Sequence, residues 1–102
     1  MENIYKSMIG KHCIVRGKDF GVFAGTVEAV EGNCVLLKNA RRLWYWEGAA
    51  SISQIALEGV KEPGRCKFTV TGESILLADF IELIPTTEEA RSSIDEVRVW
   101  KR

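Results

Sequence analysis

Residues 41–59 read RRLWYWEGAASISQIALEG, and the fold turns on the change of period inside them, from alternation up to Trp46 to helical spacing from Ser51 onward. Side chains on a strand alternate between faces, so Arg42, Trp44 and Trp46 share one face and Arg41, Leu43 and Tyr45 the other. One of those faces must meet the core. If Leu43 and Tyr45 point inward, Arg42, Trp44 and Trp46 form a cationic, flat-ringed surface suited to a molecule carrying both a phosphate and a base. Ser51 and Gln54 then make a Ser-x-x-Gln capping box. Ile52, Ile55, Ala56 and Val60 recur at helical spacing and Gly59 suits a C-cap, so a helix is expected over about 51–58. Its free backbone N–H groups lie close in sequence to the arginines, and Gly48, Ala49 and Ala50 let a ligand or a neighbouring backbone approach. The candidate ligand site is therefore Arg41, Arg42, Trp44, Trp46, Ala49, Ala50 and Ser51.

Upstream, the chain reads as a strand-rich meander. Ile4, Tyr5, Met8 and Ile9 suggest a short helical lead-in over residues 1–10. HCIVRG (12–17) reads as a strand, Lys18 to Gly21 as a turn, and VFAGTVEAV (22–30) as a second strand with Gly25 marking a bulge or bend. A tight connection at Glu31-Gly32-Asn33 precedes CVLLK (34–38), and Asn39-Ala40 is expected to turn the chain into RRLWYW, giving four short strands. Downstream, KEPGR is a Pro-Gly turn. CKFTVT (66–71) alternates with Cys66, Phe68 and Val70 inward. ILLADFIELI (75–84) fits helix or strand in its first half and strand in its second. Thr86 as cap predicts a helix over about 87–94, and VRVWK reads as an edge strand with Arg98 and Trp100 on one face.

Together these elements predict an α+β, β-rich single domain spanning residues 1–102. Its core is a bent antiparallel sheet or partly open SH3/Sm-like barrel, with two short helices at about 51–58 and 87–94. A chain of 102 residues is long enough for one core and too short for two. Fourteen basic residues balance 14 acidic ones, so no overall field draws the protein to long nucleic acid or to membranes. Any anion binding must be local. MENIYKSMIGKHC lacks a basic stretch followed by a long apolar run, so neither signal peptide nor anchor is expected, and the expected location is the cytoplasm.

Catalytic chemistry finds little material. Cys13, Cys34 and Cys66 are widely spaced with no CxxC pair, which reads as reduced structural thiols, and no metal or cofactor is expected. His12 is the single histidine and reads as a strand-start residue. Asp79, Glu82, Glu88 and Glu89 have no nucleophile or metal-ligand spacing beside them, so the chain is not expected to be an enzyme.

Two resemblances follow from particular words. The run from Gly25 through Val27 and Gly32-Asn33 to Val35-Leu36 is similar to the Sm-like barrel pattern, which implies a ring-forming oligomer and, as a third option, RNA binding. ARRLWYWEGAASISQIALEGV, then CKFTV and IELIPTTEEA, resembles a family of small bacteriophage proteins of unassigned function. That resemblance implies a phage product acting in the host bacterial cytoplasm. Phage proteins of this size include sponges for nucleotide second messengers of host defence, an analogy of setting and size. The expected function is accordingly a homo-oligomer that sequesters a small nucleotide, with a protein interaction module as the alternative.

Overall fold

The computed structural model describes residues 4–101. Three strands, β1 (His12–Gly17), β2 (Val22–Glu31) and β3 (Cys34–Tyr45), form an antiparallel meander. The expected turn at Asn39-Ala40 is instead a bulge inside one long strand. Thr26 faces Lys38 and Ala24 faces Arg41, so Gly25 alone opposes both Asn39 and Ala40. Asn39 absorbs the extra residue at φ 51°, a left-handed conformation that asparagine tolerates better than most residues. Gly25 is required opposite it, because a Cβ there would lie 2.8 Å from the Ala40 Cβ.

That one extra residue also resets the alternation. Val35, Leu37 and Ala40 pack into one apolar cluster with Cys13, Val15, Phe23, Val27 and Leu77. Beyond the bulge, Leu43 faces the opposite side and joins Ile14, Ala24, Ile55, Ala56, Phe68 and Ile94. The first cluster lies on one side of the sheet, and the second lies between the other side and both helices. Strand β1 is covered on both faces, which is why HCIV is buried without alternation.

The remaining strands are β4 (Lys67–Phe68), β5 (Gly72–Ala78) and β6 (Phe80–Pro85). The order is β4-β3-β2-β1-β6, with β5 beside the first half of β3. A single residue, Asp79 at φ 61°, separates β5 on one side of the meander from β6 on the other. The sheet is bent round but not closed. Residues 75–78 are strand, not helix: Ile75, Leu76 and Leu77 pair with Leu37, Leu36 and Val35, and this ladder outweighs the helical spacing of the leucines.

Helix α1 (Ile52–Glu58) starts at Ser51, whose side chain accepts from the Gln54 amide, and stops at Gly59. Helix α2 (Glu88–Glu96) is capped by Thr87, not Thr86. The Thr86 hydroxyl is used elsewhere, donating to the His12 carbonyl at 3.0 Å. Val70 is exposed rather than inward, since pairing with β3 ends at Phe68. After α2 the chain forms one parallel bridge, Phe68 with Val99, in place of the expected edge strand. The lead-in is a 3-10 helix at Ile4–Met8, and its expected first three residues lie outside the described ones.

His12 is buried, and its Nδ1 lies 2.6 Å from the Thr86 hydroxyl oxygen. Burial first, then the charge of Arg91, pull its pKa below the ordinary 6.5, against an opposing pull from Asp95. The folded protein thus binds this proton less readily than the unfolded chain. The stability His12 contributes is whole above the unfolded-state value and is lost as pH falls through the folded one. Thermal unfolding at pH 7 and pH 5 (~2 units spanning the histidine range) should show a larger drop for wild type than for His12→Gln. Equal drops would remove His12 as the cause.

Candidate functional site

Arg41 and Arg42 occupy consecutive positions on β3 and do different work. Arg41 is buried. Its Nη1 donates to the carbonyls of Ile94 and Val97, both at 2.9 Å. Nη2 donates to Phe68 O at 3.1 Å and Nε to Thr69 O at 3.0 Å. The guanidinium therefore ties the end of α2 to β4 and the loop after it, and it stands 5.5 Å from the Phe68 ring centroid. Four of its five N–H donors are taken by the chain's own carbonyls, so its fork is committed to holding the fold together.

Arg42 is half-buried and points to the other side. Its guanidinium carbon sits 4.3 Å from the centroid of Phe23, and Nη1 donates to Phe20 O at 2.6 Å. It thereby packs on the Phe20–Phe23 part of the first cluster.

The aromatic residues divide in the same way. Trp46 packs against the helix-side core, so it does not share a surface with Trp44 as the alternation predicts; the chain has left the strand by that point. Trp44 is 56% exposed. Its ring stacks on that of Trp100, with centroids 5.1 Å apart and planes 6° from parallel. Tyr45 is exposed rather than inward, and its hydroxyl donates to Glu47 at 2.8 Å.

At the start of α1 the small residues meet the chain itself. Gly48 has φ 89°, and a Cβ there would lie 2.7 Å from the backbone nitrogens of both Lys61 and Glu62. The Ala50 amide donates to Gln54 Oε1 at 2.8 Å, and the Gln54 amide donates to Ser51 Oγ at 3.2 Å. The Ser51 cap is made, while the Gln54 side chain reaches back one residue further than a standard capping box, to Ala50 instead of Ser51, and Ala49 packs against the core. Of the seven residues predicted to gather, only Trp44 lies on the exposed aromatic surface.

Two residues not assigned to the site from sequence complete that surface. Lys67 of β4 places its Nζ 5.3 Å from the Trp44 ring, 5.5 Å from Trp100 and 5.6 Å from Tyr45. Trp100 comes from the far end of the chain, brought in by its amide donating to Phe68 O at 2.8 Å. Only the pattern Arg98-x-Trp100 in the last segment hinted at it. Next to Trp100 a cleft of about 410 Å³ is lined by Pro63, Gly64, Cys66, Glu96, Arg98 and Val99. The Cys66 thiol is held up in pKa, chiefly by burial, and points to the carbonyls of Glu47 and Glu62. It is a packing group in the cleft wall, not a nucleophile.

The described residues contain no cluster of three or more His, Cys, Asp or Glu able to hold a metal, and no helix long and apolar enough to cross a membrane. A family model described as Domain of unknown function (DUF6948) matches residues 10–94. No curated protein matches the chain.

Proposed function

The chain belongs to that domain family, and from its own surface we propose that it is a non-catalytic nucleotide-binding protein. The observation that carries this reading is the exposed Trp44 ring, stacked on Trp100 with the Lys67 ammonium beside both. An aromatic plane receives a base of any identity, at about 1–3 kcal/mol per base. Lys67 and, from the cleft wall, Arg98 supply cations for the attached phosphate. The site is thus a local basic and aromatic patch on a chain of balanced charge. The resemblance to small phage proteins gives such binding a purpose: holding a nucleotide signal of host defence out of circulation in the bacterial cytoplasm, as a homo-oligomer.

Thermal unfolding against cyclic di- and trinucleotides, cyclic ADP-ribose isomers, mononucleotides and short single-stranded RNA tests it. Ligand at a hundred times its Kd adds about 2.7 kcal/mol, or a rise on the order of 10 °C for a domain of this size. The ligand should be recovered unchanged, and Trp44→Ala should cut affinity by about tenfold or more, the worth of one stacked base. A flat panel would sink the reading.

The alternative, a protein interaction module, draws on a different observation. Tyr45, Val70 and Val99 are exposed on or near the same surface, and Leu76 is exposed on β5, where it pairs with Leu36. A flat panel together with a change of assembly mass in Trp44→Ala would favour it.

A further inference from the structure

The segment that carries Trp100 is attached very differently from the strand that carries Trp44. Trp44 is fixed in β3, which is paired along its length by β2, β5 and β4. Trp100 lies beyond α2, on residues 98–101. The last firm anchor before it is Val97, which is buried and whose carbonyl accepts from Arg41. Past Val97 the attachments among the described residues are the single bridge to Phe68, the Trp100 amide bond to Phe68 O, the ring stack and the Lys67 contact. Arg98, Val99 and Lys101 are exposed. Behind this strap lies the cleft, walled on the other side by Pro63, Gly64 and Cys66.

We propose that residues 98–101 form the movable jaw of an aromatic clamp, swinging about Val97 so that a nucleobase enters between the Trp44 and Trp100 rings. This rests on the nucleotide reading above and specifies how the base is held. The ring centroids are now 5.1 Å apart, and admitting a base requires the gap to widen to about two stacking contacts, on the order of 7 Å. The movement breaks few bonds, because Arg41 holds the chain up to Val97 and, among the described residues, nothing comparable holds it afterwards. The cleft gives the lifted strap room. Insertion replaces one ring-on-ring contact with two base-on-ring contacts and removes both faces of the base from water. The Lys67 ammonium lies at nearly equal distances from the two rings, beside the mouth of the gap, where the phosphate attached to an inserted base must emerge.

The test uses the full chain and the dinucleotide ApA as probe, with 5-fluorotryptophan in place of tryptophan for fluorine NMR. On a clamp, Trp44→Ala and Trp100→Ala each weaken ApA binding about tenfold or more, Trp100→Phe restores most of it, and the resonances of Trp44 and Trp100 both shift on binding. Thermal unfolding of each variant checks that the fold is retained. If Trp44→Ala alone weakens binding and the Trp100 resonance stays in place, the base stacks on the outer face of Trp44. The clamp is then overturned while the nucleotide reading stands. If wild type binds neither ApA nor any nucleotide of the panel, both are overturned together.

Discussion

Arg41→Met should destabilise the protein by about 3 kcal/mol or more, which for a domain of this size lowers the unfolding midpoint by roughly 12 °C or more. The reasoning is a count of acceptors. Arg41 gives donors to the carbonyls of Phe68, Thr69, Ile94 and Val97. Two of these keep another partner, since Phe68 O also receives the Trp100 amide and Ile94 O the Val97 amide. Among the described residues, Thr69 O and Val97 O have no second backbone donor of that kind to replace the guanidinium, and a buried carbonyl left unpaired costs about 1–3 kcal/mol. Methionine keeps much of the apolar stem, so the loss reports the hydrogen bonds more than the packing. Burial pulls the Arg41 pKa below its ordinary value, with Asp95 pulling the other way, yet an arginine stays charged at any working pH. Arg41→Lys should recover only part of the loss, because one ammonium cannot reproduce a planar fork reaching several carbonyls. Urea unfolding measures both. A change under about 1 kcal/mol for Arg41→Met, the worth of a single ordinary hydrogen bond, would show that these contacts are weak and that Val97 is not a fixed hinge.

Arg41 also marks where the sequence stops being readable. Adjacent arginines before a tryptophan-rich strand look alike in a linear reading, and both carry the same charge and length. Alternation puts them on opposite faces, and the bulge at Asn39-Ala40 decides which face each takes, Arg41 toward the helices and Arg42 toward Phe23. The glycine that permits it was legible: Gly25 in mid-strand announced a bend. The partner half of the bulge was not, because Asn-Ala between two strand-like runs resembles a turn until the ladder on either side is known. The helices were easier. Ser51, Gln54 and Gly59 are local signals, and the structure uses each as its chemistry suggests. Thr86 and Thr87 each carry a capping hydroxyl, and the choice between them was made by His12, 74 positions away. The same limit governed the aromatic surface. Trp44 could be named from its strand, whereas Lys67 reaches it through its pairing with Tyr45 and Trp100 through its bond to Phe68, neither of which a short stretch encodes.

Phe68→Ala is expected to cost about 3–5 kcal/mol, enough to leave a domain of ordinary stability partly unfolded near body temperature. The ring is fully buried and is the largest such side chain among the described residues. It packs between the sheet and both helices with Leu43, Ile55 and Ile94. Removing it opens a cavity whose walls are a strand and two capped helices, elements that collapse poorly, so the cost belongs toward the upper part of the range. It also removes the ring beneath the Arg41 guanidinium, a contact worth more in a buried site than at a surface. Phe68→Leu separates the two effects. Leucine refills most of the volume but offers no aromatic face, so a loss of about 1–2 kcal/mol is expected. The backbone of Phe68 carries a third role that neither substitution removes, since its carbonyl receives both Arg41 and the Trp100 amide. In the surviving folded fraction of Phe68→Leu, the Trp44–Trp100 stack should therefore persist. Fluorine resonances of the two tryptophans unchanged from wild type would confirm that the strap is positioned by the main chain of β4, and displaced resonances would assign that role to the ring.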